Sequence, residues 1–447
     1  MTRESLLLTD LYQLTMLQGY FEQGMNEPAV FEFFVRKMPA QRNFLIAAGL
    51  DQVLEYLEAA RFLPDELDWL KKCGRFRNDF VESLIDWRFT GDVDAMPEGT
   101  LFFPDEPVLR VVAPIREAQL VETRIINLLQ FQSMVAAKAV RSVFAADGRM
   151  LVDFGLRRAH GAEAGLLSAR ASFIAGFTGT ATVLAGLRWD IPLFGTMAHS
   201  YIEAHERESD AFESFIHAHP AGSTLLIDTY DTEEGARRLV SMLPQLAAKR
   251  LNVGSVRIDS GDLGQHARQV REILDAGGLA QIKIFASGNL DEDRIQALLA
   301  NGAPIDGFGV GTKMNTSADQ PYLDCAYKLQ EYAGTPRRKR SEGKATWPGR
   351  KQVFRGFDAA GKMAGDRLAL QDEPATGRPL LQPMLRQGKR LSAAPTLAQI
   401  RANLQDELAT LPAGFRSLAP APVGYPVQVS NAVQNLAQLA DKLSRQD

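Results

Sequence analysis

His199 stands in Gly195-Thr196-Met197-Ala198-His199-Ser200, directly after a short apolar run at residues 191–194. A histidine that closes a strand near carboxylates can act as base, acid or nucleophile. Carboxylates recur downstream in the same kind of place. LLIDTYDT at 225–232 carries Asp228 and Asp231, and VRIDSGDL at 256–263 carries Asp259 and Asp262. Asp231 and Asp262 precede helical patterns and are equally suited to capping them. Asp228 and Asp259 close their β-rich runs and are expected at the mouth of a barrel. There a carboxylate holds Mg²⁺ through water, contacts ribose hydroxyls or stabilises a cationic transition state. The same two aspartates are expected to fix the tautomer and orientation of His199.

Two glycine-rich turns are candidates for phosphate: Ser287-Gly288-Asn289 and Gly309-Val310-Gly311-Thr312. Glycine lets the backbone approach an anion, and free N–H groups at a helix start point toward it. Phe154-Gly155-Leu156-Arg157-Arg158 offers an aromatic face and a guanidinium, which suits a planar anionic ligand; Arg257 could serve likewise. The remaining histidines, 160, 205, 217, 219 and 266, fall in loops or helical stretches and read as structural or solvated.

From residue 151 the chain repeats strand–helix units, with candidate strands at 151–154, 175–177, 191–194, 224–227, 256–258, 282–285 and 307–310. Such alternation favours a parallel sheet with right-handed crossovers. A doubly wound sheet concentrates its site at one switch point, whereas here chemically able residues end almost every strand. The expectation is α/β: an irregular, incomplete parallel β/α barrel at 146–330, plus a mixed α+β domain built from both chain ends. Its parts are 1–145, ending in a long linking helix read over 116–144, and 331–447, packing with the first. Within the first part, 29–35 reads as a strand, 45–60 as an amphipathic helix and 89–112 as a β-meander.

The chain has 447 residues, 45% hydrophobic and 23% charged, with a formal net charge of −4. That is ordinary globular usage and gives no sign of a bulk nucleic-acid binder. The stretch Pro336-Arg337-Arg338-Lys339-Arg340 is the one basic run that could serve a non-enzymatic, nucleic-acid-binding role. Cys73 and Cys325 are the two cysteines, too few for a disulfide framework or zinc cage. The opening residues lack the pattern of a signal peptide, and no apolar stretch is long enough to span a bilayer. The expected location is cytoplasmic, with no membrane or nucleic-acid partner.

Taken together, these segments resemble the nicotinate phosphoribosyltransferases, members of the type II phosphoribosyltransferases. The resemblance runs along nearly the whole chain. It rests on TDLYQLTM (9–16), AQLVETRIINLLQFQS (118–133), DFGLRRAHG (153–161), GTATVLAG (179–186), MAHS (197–200), IDTYDT, RIDSGDL, ASGNL and GVGT, then SEGKATWPGRKQVFR (341–355) and YPVQVS (425–430). It implies formation of nicotinate mononucleotide and pyrophosphate from nicotinate and phosphoribosyl pyrophosphate in NAD salvage. It also implies Mg²⁺, ATP hydrolysis through a phosphohistidine at His199, and a homodimer with shared active sites. By resemblance, Phe154, Arg157, Thr180, Ser200 and Arg257 bind nicotinate, with Arg257 on the other face of the ring and Tyr12 supplied by the partner subunit. Ser287, Gly288, Asn289, Gly311 and Thr312 bind the 5′-phosphate; Arg36 and Lys339 reach the pyrophosphate from the neighbouring subunit. Nicotinamide-using relatives carry an acidic residue where this chain has Ala181. The resemblance therefore favours the acid over the amide. Lys283 and Lys313 fit poorly as Schiff-base lysines of a rival aldolase-type barrel.

Overall fold

A computed structural model describes residues 5–220, 222–249 and 251–443. The chain divides into two units, one running to Met134 and resuming at Tyr322, the other spanning Val135–Pro321. The first division falls inside the helix Glu122–Ala146.

The second unit is built on six parallel strands: β1 (Met150–Asp153), β2 (Gly179–Thr180), β3 (Ser223–Leu226), β4 (Val253–Ile258), β5 (Lys283–Ala286) and β6 (Gly307–Val310). Their order is β2-β1-β6-β5-β4-β3, a curled half-barrel. Helices Ala162–Ala175, Val183–Trp189, Thr232–Ala248, Leu263–Ala276 and Glu292–Ala300 follow β1, β2, β3, β4 and β5 in turn. The register aligns the carboxyl ends: Asp153 pairs with Thr180 and Val310, Ala286 with Phe308 and Ile258, and Leu226 with Arg257. Backbone bonds continue one residue further, from Phe154 N to Val310 O and from Ser287 N to Ile258 O, each 2.9 Å. The residues just past each strand are therefore brought to one rim.

Two expected strands are absent as such. Residues 175–177 belong to the end of the helix Ala162–Ala175 and to its exit, where Gly176 has φ +124°. The run at 191–194 forms one isolated bridge, Thr180 to Leu193, instead of a strand. Pro192 has no N–H to extend a ladder, so pairing stops after one exchange with Thr180.

The first unit holds a seven-stranded antiparallel sheet. Pro28–Val35 lies between Cys325–Tyr332 and Leu109–Pro114, and Asp92–Ala95 joins the latter to Gln382–Arg386. Strands from the two chain ends thus share one sheet. The expected helix over 45–60 begins only at Leu50. Leu45–Ile46 is a short strand paired with Leu101–Phe102, and left-handed Gly49 (φ +100°) separates it from the helix Leu50–Ala59. The long helical pattern breaks once, between Ile115–Leu120 and Glu122–Ala146.

Arg355, fully buried, anchors this unit. Its guanidinium meets Asp366 and Glu407, each at 2.6 Å, and donates to Leu101 O at 2.8 Å. Tyr425 donates to Asp366 at 2.9 Å and stacks on Phe103 with ring centroids 3.8 Å apart. These contacts tie residues near 101–103 to four segments of the carboxyl-terminal third.

Candidate functional site

Phe154 leaves β1 and leads into a 3-10 turn, Leu156–Arg158, that presents Arg157 and Arg158 to solvent. Gly309 on β6 makes room for the Phe154 ring: a Cβ there would lie 2.6 Å from it. After β5, Gly288 adopts φ +96° and packs so closely on the Asp259 carbonyl oxygen that a Cβ would come within 2.0 Å. Only glycine meets both demands, so the Ser287-Gly288 turn is pinned against the Asp259 loop.

Asp259 is the hub of a three-residue cluster. Arg257 Nη2 and Ser287 Oγ each lie 2.5 Å from its Oδ1, and Arg257 Nε donates to Ser287 Oγ at 2.8 Å. Burial raises the pKa of this carboxyl, but the Ser287 hydroxyl and the Arg257 charge outweigh it and hold Asp259 below the ordinary carboxylate range. Asp228, buried behind it, accepts from Asp259 N at 2.9 Å and from Ser260 Oγ at 2.6 Å with one oxygen. Its other oxygen, Oδ1, is buried without a hydrogen-bond partner among the described residues.

Two cavities open on this rim. One, of about 590 Å³, is lined by Phe154, Arg157, Ala181, His199, Arg257 and Asp259, with an apolar lip of Leu156, Val183 and Leu193. That volume falls in the range of small-molecule sites. The other, of about 240 Å³, adds Arg158, Ser287, Gly288, Asn289, Gly311 and Thr312. Phe154, Arg157, Arg257 and Asp259 line both. The Arg257 guanidinium stands 5.3 Å above the Phe154 ring. A flat ring held between two stacking partners needs about 7 Å. Arg257 must therefore swing aside for any ligand that stacks on that face.

The structure corrects several expectations. His199, half-buried at the start of the helix His199–Glu203, has Nδ1 3.2 Å from Thr229 Oγ1, so its partner is a hydroxyl and neither Asp228 nor Asp259. Thr180 is fully buried and donates to Asp153 at 2.7 Å, so it stands behind the cavity wall. Ser200 is exposed and lines neither cavity. Asp231 and Asp262 are caps: Asp231 accepts from Glu234 N at 2.8 Å, and Asp262 from Gly264 N and Gln265 N. Tyr12, Arg36 and Lys339, expected to act at a partner subunit's site, belong to the first unit of this chain, a placement that leaves that expectation standing. There Tyr12 and Lys339 are exposed, and Arg36 pairs with Asp324 at 3.1 Å. Arg338 and Arg340 of the basic run both reach Asp441. No group of three or more His, Cys, Asp or Glu could hold a metal among the described residues, and no described helix is long and apolar enough to cross a membrane.

Sequence reasoning named Arg158 only within the Phe154–Arg158 motif, without a role of its own, and missed Thr229 and the apolar lip. Thr229 and Arg158 each adjoin a residue singled out, and a hydroxyl or guanidinium beside a strand end was the available signal. The lip had none, since Leu156, Val183 and Leu193 lie far apart in sequence and read as ordinary apolar residues.

Comparison with known proteins identifies relatives along nearly the whole chain. The chain matches the nicotinate phosphoribosyltransferase N-terminal domain over residues 7–130, the nicotinate phosphoribosyltransferase family over 150–343 and the corresponding C-terminal domain over 374–437. It is 48% identical over 428 residues to nicotinate phosphoribosyltransferase pncB2 of Mycobacterium tuberculosis, covering 96% of this chain and 92% of that one. With the nicotinate phosphoribosyltransferase of Bacillus subtilis the identity is 33% over 476 residues, covering 98% and 97%. The crystal structure of human nicotinic acid phosphoribosyltransferase superposes with a TM-score of 0.87 at 29% identity, covering 97% of this chain and 99% of that one. A half-barrel whose strand ends gather arginines, a phenylalanine and a carboxylate, matched by family models in all three of its sequence segments, makes this chain a member of the nicotinate phosphoribosyltransferase family.

Proposed function

We propose that this enzyme joins nicotinate to phosphoribosyl pyrophosphate, releasing pyrophosphate and forming nicotinate mononucleotide, with ATP hydrolysis coupled to turnover. The observation that carries the reading is the junction of the two cavities at Phe154, Arg157, Arg257 and Asp259. The larger cavity suits the base: Phe154 supplies a stacking face, and Arg157 and Arg257 supply charge for its carboxylate. Ala181 on its wall brings no carboxylate to repel an acid or accept from an amide. The smaller cavity suits the 5′-phosphate, with Ser287, Gly288, Asn289, Gly311 and Thr312 around it.

At the junction the ionised Asp259 faces the place where the sugar would lie. As pyrophosphate leaves C1′, the C1′–O bond breaks with its electron pair and positive charge develops on the ring. Asp259 stabilises that charge, with Asp228 behind it accepting from its backbone N–H, and the lone pair of the pyridine nitrogen closes the new bond. The nitrogen carries no proton, so positioning does more than acid–base work. Asp228, through its unpartnered Oδ1, would help to hold Mg²⁺, and the ion would neutralise charge on the leaving pyrophosphate.

His199 is the proposed phosphoryl acceptor. Its Nδ1 is engaged with Thr229, and Nε2 has no hydrogen-bond partner among the described residues. Attack by the Nε2 lone pair on the terminal phosphorus of ATP gives phosphohistidine and ADP; water then breaks the N–P bond, releasing inorganic phosphate and returning the histidine. A homodimer with Tyr12, Arg36 and Lys339 reaching the neighbour's site is supported by exposed apolar side chains. These are Leu8, Leu11 and Tyr12 in the first unit, and Val183, Leu184, Leu187 and Leu193 in the second.

The test is mononucleotide formation from phosphoribosyl pyrophosphate with nicotinate, nicotinamide or quinolinate, each with and without ATP. Product from nicotinate, increased by ATP in wild type but not in His199→Ala, is expected. Equal use of nicotinamide would overturn the role given to Ala181, and equal ATP stimulation in the variant the role given to His199.

A further inference from the structure

Asp153 is fully buried, lines neither cavity and has no part in the chemistry above. Its carboxylate nevertheless joins the two walls of the larger cavity. Oδ1 accepts from Gly155 N at 2.8 Å, fixing the turn that carries Phe154 and leads to Arg157. Oδ2 accepts from the Thr180 hydroxyl at 2.7 Å, and Thr180 Oγ1 in turn accepts from Thr182 N at 3.0 Å. Between those two threonines lies Ala181, whose own N–H donates to the Asp153 carbonyl at 2.9 Å. One side chain thus sets the spacing between the Phe154–Arg157 wall and the Ala181–Val183 wall.

A buried carboxylate is costly unless it is paired, and here two neutral donors stand where a cation would ordinarily be. Burial drives its pKa up, and the Thr180 hydroxyl and Gly155 N–H pull it back only in part, leaving it at about 6. A buried asparagine would avoid the charge, but its amide nitrogen cannot accept from Thr180. The ionised carboxylate is the group of this size that accepts from both walls at once.

We propose that Asp153 is a positioning residue for the base: it holds the two walls of the base cavity at the separation that admits a flat ring, without touching the substrate. This rests on the larger cavity being the base site. Asp153→Asn should raise KM for nicotinate about 10-fold, the scale of one buried donor left unmatched, with KM for phosphoribosyl pyrophosphate little changed. In wild type, KM for nicotinate should rise as the pH falls through about 6, and the variant should lack that limb. Thr180→Val should reproduce the KM effect and Thr180→Ser should rescue it.

Hydrogen exchange supplies a readout that does not depend on which base is used. Relative to intrinsic rates, the amides of 155 and 182 should exchange faster in Asp153→Asn than in wild type, with other rim segments unchanged. Localised loosening without any effect on nicotinate would uphold the link between the walls and overturn the assignment of the cavity to the base. A folded variant with wild-type exchange and wild-type KM, or one in which both substrates suffer equally, would overturn the proposal. Should Asp153→Asn not fold, the Thr180 pair decides by the same criteria.

Discussion

Asp259 shows how much of the site depends on one side chain's neighbours. A half-buried aspartate alone would titrate upward, yet Ser287 and Arg257 close on the same oxygen and keep it charged at neutral pH. A fixed negative charge beside a sugar that becomes cationic is worth most where water is excluded. Asp259→Asn keeps the size and one acceptor and removes the charge. It should lower kcat about 10²- to 10³-fold, the usual cost of deleting one preorganised electrostatic group, while KM for either substrate moves far less. Steady-state kinetics decide it, and a drop of only a few-fold would mean that the charge does not face the developing cation. The depressed pKa fixes the pH sign: Asp259 stays ionised as pH falls through the range in which Asp153 protonates. Loss of nicotinate affinity near pH 6 therefore does not come from Asp259, and its absence in Asp153→Asn separates Asp153 from the other titratable groups at the cavity, His199 among them.

At the scale of elements, the helices of the half-barrel aim the loops before them. Asp262 accepts from Gly264 N at 3.1 Å and Gln265 N at 3.0 Å, and so starts the helix Leu263–Ala276 immediately after the Asp259 loop. Asp262→Ala should lower the melting temperature measured by calorimetry by about 2 °C, as loss of one N-cap ordinarily does. A drop several times larger would mean Asp262 does more than cap. This reading of Asp262 was available from sequence as one of two, since an aspartate before a helical pattern and an aspartate at a barrel mouth look alike. The strand ends with Phe154, Asp228, Asp259 and Ser287 were legible because short apolar runs closed by small or polar residues identify the rim directly. What stayed hidden depended on three-dimensional partners. The run at 191–194 has a strand's composition, but Pro192 limits it to one bridge. Residues 175–177 are apolar in a helix terminus as they would be in a strand, and periodicity cannot separate the two. The partner of His199 is set by a side-chain direction, and Thr229 next to Asp228 was the nearer hydroxyl.

Across the whole molecule, the buried charges of the first unit decide how its two chain ends hold together. Arg355 answers Asp366 and Glu407, Arg378 adds a second cation at Glu407, and Tyr425 completes Asp366. Glu106, equally buried, is the surplus acid. One of its oxygens accepts from Phe103 N at 2.9 Å, and the other would lack a partner as a bare carboxylate. Carrying a proton, it donates to Asp366 instead. Burial first, and the Asp366 charge next, push its pKa well above the usual carboxylate range, with Arg355 offsetting part of the rise. The linkage follows from that direction. The unfolded chain releases this proton near pH ~4, so the folded state binds one more proton than the unfolded state at higher pH. Glu106 therefore contributes stability that is fully present below its unfolded pKa and is lost as pH rises through its folded pKa. Glu106→Gln presents the same carbonyl to Phe103 and an N–H donor to Asp366 with no proton to lose. Its melting temperature should fall less steeply than that of wild type as the pH rises above the unfolded carboxylate range near pH ~4, so that the variant gains on wild type toward alkaline pH. Thermal melts across that rise by differential scanning fluorimetry make the comparison. Parallel curves would mean that Glu106 is ionised in the folded protein and that Arg355 carries three carboxylates.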